Sequence, residues 1–182
     1  MYLMNTRKMM KKILLIALAI FSCLIISAKD YTISSEGIEF IKQYEQCALV
    51  AYPDAGGWSI GYGHHGKDVY QGMTISKNEA NRLFRKDIQK FSASVKRLIE
   101  SLPYEYEFSQ GFIDGLYSLV YNCGEGGVRK STFYQRLLRC RVIDGVMNEK
   151  DFNYTIAGVK QSKISSPGHV KRRHAEHLMM LN

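Results

Sequence analysis

Three prolines and a single tryptophan in 182 residues leave little to rigidify the chain, and no internal repeat, Pro- or Ser-rich linker or low-complexity block interrupts it. Those absences exclude collagen-like, repeat-array and generally disordered proteins. Acidic residues are missing from everything before Asp30. His169, His174 and His177 do not form a His-Glu-x-x-His helix, so neither a metal nor a cofactor is expected. What is present is 46% hydrophobic and 23% charged, enough for one domain with a proper core. The formal charge of +8, from 25 Lys plus Arg against 17 Asp plus Glu, points to an anionic partner without choosing one.

Half of that charge sits in a leader. Arg7, Lys8, Lys11 and Lys12 precede an apolar run over 13–28, after which the chain turns polar. A basic flank, a run of about 15 apolar residues and a small residue before a polar start read as a secretory signal cut after Ala28. Such a run is short of the roughly 20 residues a spanning helix wants. A variant reading keeps residues 1–28 as a signal anchor that is later released. Removing four basic residues and no acid leaves 21 against 17, or +4. That remainder is weighted toward the last helices and suits steering to an anionic surface at low salt; it does not argue for nucleic acid. Export implies an oxidising compartment, where Cys47, Cys123 and Cys140 remain. Two readings stand for them: a Cys123–Cys140 pair, or three buried reduced thiols.

From about residue 31 the chain reads as one unit. Ser34 and Ser35 can cap a first helix, whose apolar stripe Ile38, Ile41 is closed by Glu45 at i, i+3 and i+7. Leu49 to Tyr52, the turn-rich stretch 53–57 and Trp58 to His64 read as a β-hairpin, with a second glycine turn at Gly66 and Gly72. Ser76-Lys77-Asn78-Glu79 is a capping box opening a helix of about 26 residues, long enough to join two lobes. Helices follow around Phe112 to Val120, stopped by glycines over 122–127, from Ser131, and from His169 to Leu181. The fold class is α+β, with a small N-terminal lobe carrying a β-hairpin sheet, a long connecting helix and a helical C-terminal lobe.

Glu45 carries the chemistry. On an apolar stripe its ionised form loses hydration, so it should hold a proton near neutral pH as a general acid needs. Asp54 lies in a polar, glycine-rich turn and stays ionised. Two carboxylates of opposite character on neighbouring elements divide the work as glycosidases do, one protonating the leaving oxygen and the other acting on water or the sugar. Among secondary candidates, His64 can orient the hairpin by pairing with Asp68 or Asp87, Asn122 can donate to a sugar N-acetyl group, and Trp58 and Tyr62 can serve as cleft platforms or as hairpin core.

The segment 43–54 followed by Trp58-Ser59-Ile60-Gly61-Tyr62-Gly63-His64 resembles the active-site stretch of the phage-type lysozymes, glycoside hydrolase family 24. Glu45 matches the family's glutamate, and Asp54 its second position eight residues on. Ser59 stands where the family has threonine, with four intervening residues instead of five, so the hairpin tip is one residue short. Residues 119–128 resemble the helix-to-turn segment on the opposite side of the cleft, and residues 172–177 the closing helix. The resemblance therefore covers 31–182 and implies a lysozyme-like fold, a monomer, and bacterial peptidoglycan as partner, cleaved at the β-1,4 bond between N-acetylmuramic acid and N-acetylglucosamine. It implies Glu45 as proton donor, Asp54 as stabiliser or water activator, Ser59 as water-positioning hydroxyl, and Asn122, Tyr62 and His64 beside the substrate. The leader, read on its own residues, makes the protein exported, periplasmic or secreted, with transient membrane contact through its N-terminal segment. A silent peptidoglycan-binding protein, a lytic transglycosylase and a basic membrane-active protein working through Val159 to Leu181 are the rival readings.

Overall fold

The computed structural model describes residues 31–54, 56–163 and 165–182. The expected signal over 1–28 lies outside the described residues. Helix α1 spans Ser35–Glu45, strands β1 Ala48–Asp54, β2 Gly57–Gly61 and β3 His64–His65 follow, and the long α2 runs Lys77–Glu100. Then come α3 Gln110–Lys130, α4 Thr132–Leu137, the short strands β4 Val142–Ile143 and β5 Val146–Met147, α5 Glu149–Ala157, a 3-10 turn Gly158–Gln161 and α6 Pro167–Met180. The α+β architecture expected from the sequence is the one observed.

The helix starts follow from their caps. Ser34 accepts from Gly37 N–H at 3.0 Å, Ser76 from Glu79 at 3.1 Å and Ser131 from Tyr134 at 3.2 Å, each occupying one of the donors a helix start leaves open. Ser34 is itself anchored at long range, its amide and hydroxyl donating to the Asp114 carboxylate at 2.8 and 2.5 Å. The Ser76 box is only half made, because the Glu79 carboxylate turns outward to Arg82. Helix α1 stops at Glu45 because Gln46 takes a left-handed φ of 50°, which swings the chain into β1.

β1, β2 and β3 form a three-stranded antiparallel sheet in that order. Asp54 pairs with Gly57, so the hairpin loop is two residues long and Pro53 and Asp54 belong to the strand instead of the turn. On the other edge of β1, Ala51 and Leu49 exchange backbone bonds with Met73 and Ile75. The sheet covers a small apolar cluster of Ala51, Ile60, Val69 and Leu83. The larger core gathers Phe84, Leu98, Phe112, Leu116, Leu119, Phe133, Leu137, Ile156, Val159 and Met180 from all the major helices. Helix α2 contributes Leu83 to one cluster and Phe84 to the other, so it joins the two as its length suggests. Tyr121 of α3 closes the seam, donating its hydroxyl to the Tyr62 carbonyl at 2.6 Å and packing its ring at a tilt against Phe84 and Phe91.

Helix α3 breaks where glycines were expected to stop it, at Gly124 with φ 69°, but resumes as far as Lys130. Glu125, just past the break, pairs with Arg97 of α2 at 2.6 Å and Arg129 at 2.9 Å and pins the resumed turn in place. Cys47, Cys123 and Cys140 are free thiols, which discards the Cys123–Cys140 pair. Cys140 is engaged instead by Thr155 Oγ1 at 2.9 Å, and burial pushes the Cys123 thiol above its ordinary range.

Candidate active site

Glu45 is the last residue of α1, where the helix presents its partial negative end. A carboxylate there needs a compensating cation, and α6 provides it. Arg172 Nη1 donates to Glu45 Oε1 at 2.5 Å. Arg172 is 3% exposed, Arg173 1% and Glu176 0%, so three charges of one helix lie inside the protein. Burial of that kind is tolerable only when every charge is paired and bonded. Glu176 accepts from Arg172 Nε at 3.0 Å, from Arg173 Nη1 and from the Ser118 hydroxyl at 2.6 Å. The Ser118 hydroxyl oxygen in turn accepts from Arg172 Nη2 at 3.1 Å, and Arg173 Nη2 donates to Asn122 Oδ1. A continuous charged chain therefore runs from Glu45 to Asn122.

This corrects two expectations. Glu45 does not face an apolar wall alone; a guanidinium holds one of its oxygens. The other, Oε2, points toward the sheet, where a methyl on Gly63 would stand 3.9 Å away. Nor is the last helix a free amphipathic surface, since Arg172, Arg173, Glu176 and Met180 are its buried side while Lys171 and His174 stay on its exposed one. Two of the positive charges assigned to surface steering are spent inside.

The hairpin makes the opposite wall. Strand alternation puts Tyr52 and Asp54 of β1 on the same face, and their cross-strand partners Ser59 and Gly57 share it. Ser59, with no exposed surface, donates its hydroxyl hydrogen to Asp54 Oδ2 at 2.9 Å. The Ser59 hydroxyl oxygen also lies 3.1 Å from His65 Nδ1 across the β2–β3 pair. Tyr52 lies within the field of both acids: burial first, then the charge of Asp54, push its phenol above the ordinary value of 10, a bond with Ser59 pulls it back in part, and Glu45 makes the smallest upward contribution.

Glu45, Asp54 and Ser59 thus stand on adjoining elements, as their spacing suggested, while the secondary candidates divide. Tyr62 is buried in the main core against Phe84, with ring centroids 5.2 Å apart, and His64 is buried with Nδ1 on Asp87 at 2.7 Å and Nε2 on Asp68 at 3.1 Å. Neither has a face left for a sugar, which corrects their assignment beside the substrate; His64 makes both acid pairs foreseen for it and orients the hairpin. Asn122 keeps its place at the end of the unbroken part of α3, but its carbonyl oxygen is taken by Arg173 and its backbone oxygen by Lys163 Nζ at 3.0 Å. Its side-chain amide hydrogens are the groups left to donate. Sequence reasoning missed Arg172, Tyr52 and His65. For the first, the signal was an Arg-Arg pair followed by Glu176 at i+4 and i+3, an arrangement that can neutralise itself within one helix.

Comparison with known proteins bears on the whole of this arrangement. A family model described as phage lysozyme matches residues 42–176. The endolysin of Bacillus phage B103 is 37% identical over 108 residues, 58% of this chain and 39% of that protein. The chain thus spans about two fifths of the length of the Bacillus phage relatives it matches. A protein named SAR-endolysin from Enterobacteria phage P21 is 34% identical over 134 residues, 72% of this chain and 74% of its own length. Among solved structures, an endolysin from Escherichia coli phage FAHEc1 superposes with a TM-score of 0.66 at 27% identity, over 83% of this chain and 94% of that one.

Proposed function

This chain belongs to the phage lysozyme family, and on that footing we propose that it is a muramidase, hydrolysing the β-1,4 bond between N-acetylmuramic acid and N-acetylglucosamine in bacterial peptidoglycan. The observation that carries the reading is a glutamate at a helix end, held by a buried arginine through one oxygen, opposite a hairpin that presents an aspartate on the same wall as a buried hydroxyl. Glu45 in its protonated form, with the hydrogen on Oε2 and Arg172 on Oε1, gives that proton to the glycosidic oxygen as the bond breaks, and regains one through solvent while Asp54 releases the proton taken from water. Arg172 fixes the direction of Oε2, so little orientation is lost when substrate arrives. Asp54 faces the other side of the sugar, stabilises the oxocarbenium-like state and draws the proton from attacking water. Ser59 has no exposed surface and its hydrogen is spent on Asp54, so its part is to hold that carboxylate, while water meets Asp54 itself. Asn122 donates its amide hydrogens to the substrate's acetamido group.

The protein acts as an exported monomer. Support for export comes from the basic and apolar leader over 7–28 and from the relatives that carry the name SAR-endolysin. Transient membrane contact is proposed for the same leader; among the described residues no helix is long and apolar enough to cross a membrane.

Turbidity of purified cell walls tests the reading. Wild type clears them, and Glu45→Gln, which keeps the shape but cannot donate the proton, clears them roughly 10²–10⁴-fold more slowly. Equal, slow clearing by both proteins would favour the catalytically silent wall-binding alternative that the shortened hairpin raises.

A further inference from the structure

Besides Tyr52, the hairpin wall carries a histidine that the proposed reaction has not used. His65 stands opposite Ser59 in the β2–β3 pair, and its ring lies across Gly57, where a methyl would come within 2.9 Å of Cε1. Glycine at 57 is therefore what lets the imidazole lie flat on the strand, with Nδ1 brought to Ser59 Oγ at 3.1 Å. The hydroxyl has a single hydrogen, and Asp54 Oδ2 takes it at 2.9 Å. The second contact must then bring its own hydrogen, because two lone pairs facing each other at that distance repel. That requirement sets the tautomer: Nδ1 carries the proton, and Nε2 is left without one or, when the ring is cationic, carries a second.

From this geometry we infer that His65 is a positioning residue, which locks the Ser59 hydroxyl onto Asp54 and so fixes the second carboxylate of the site. The inference rests on the muramidase reading for its consequence in catalysis, but its geometry stands apart from it. A serine hydroxyl is a free rotor with three staggered wells, and no methyl on its β-carbon narrows the choice. The donated Nδ1–H takes one lone pair of the oxygen and leaves the hydroxyl hydrogen aimed at Oδ2. Oδ2 thereby keeps one fixed donor, which sets the plane of the carboxylate that meets water. The chain Nδ1–H to Oγ, O–H to Oδ2 also polarises in one direction, each donor strengthened by the one behind it.

Two measurements on the full chain test the inference. The nitrogen shifts of the His65 ring should show Nδ1 protonated and Nε2 bare in the neutral form, with this preference lost in Ser59→Ala; a ring protonated on Nε2 in wild type overturns the inference whatever the activity. In wall hydrolysis, His65→Leu should lower kcat about 5- to 10-fold with KM unchanged, the scale of one hydrogen bond to an uncharged group. His65→Asn, whose amide N–H reaches the same place, should recover most of that loss, and His65→Leu in the Ser59→Ala background should add nothing. Equal losses in the Leu and Asn variants, or a loss that persists without the serine hydroxyl, would contradict it. Thermal melts of both variants show whether folding alone explains a loss. A wild type that fails to hydrolyse walls would remove the muramidase reading while leaving the tautomer result to decide the geometry.

Discussion

The two walls of the site hold their carboxylates by opposite means. On the helical side Glu45 is tied to a guanidinium that is itself one link in a buried chain of charges, with Arg172, Arg173 and Glu176 all within α6 and nearly inaccessible to water. On the hairpin side Asp54 is exposed and held by a single hydroxyl, through strand register alone. Charge-assisted bonds in a low-dielectric interior are strong when complete and costly when broken; a bond to a carboxylate that water still reaches is weaker and costs little to lose. The helical wall is therefore part of the structure's stability, and the hairpin wall is nearly separable from it.

That contrast breaks most visibly at Glu176. Glu176→Ala leaves two arginines buried without their common partner and should cost about 3–5 kcal/mol in urea or thermal unfolding, a loss that Asp54 variants should not share. On the other wall, Asp54→Asn should slow wall clearing about 10²-fold, in line with removal of one electrostatic stabiliser, while leaving the melting temperature where it was. A melting temperature that falls for Asp54→Asn as it does for Glu176→Ala would erase the distinction. The smallest effect belongs to Glu125, outside both walls. Arg97, with help from Arg129, holds its carboxyl at about 2, below an ordinary 4.5. A depressed value means stability that is present above pH 4.5 and lost as pH falls toward 2. Glu125→Gln should thus destabilise by about 1 kcal/mol near neutrality, the allowance for a solvent-screened pair, and match wild type at pH 2.

The two acids and the hairpin hydroxyl were legible because they are local: Glu45, Asp54 and Ser59 lie within fifteen residues, and their spacing together with the serine caps and helical periodicity carries the geometry. The rest of the helical wall was not. Arg172 meets Glu45 across 127 residues, and a Lys-Arg-Arg-His run reads as a solvated face until its partners are known. Burial of a charge is decided by what folds over it, which periodicity does not report. Tyr62 and His64 failed for the converse reason: aromatic and histidine side chains next to a catalytic motif look available, yet the run from Ser59 to Tyr62 is buried without a break and His64 turns inward onto Asp87. One local feature was readable and passed over. Val142-Ile143-Asp144-Gly145-Val146-Met147 has an Asp-Gly pair between apolar residues, the ordinary signal for the two-residue hairpin that β4 and β5 form, with both turn residues at positive φ.

Mass analysis of the fragments released from purified walls bears most directly on the account, because it reports activity, bond and acid together. Wild type should yield saccharides ending in reducing N-acetylmuramic acid, and Glu45→Gln almost none. Anhydro-muramic ends, the mark of a lytic transglycosylase, or identical fragments from both proteins would contradict it.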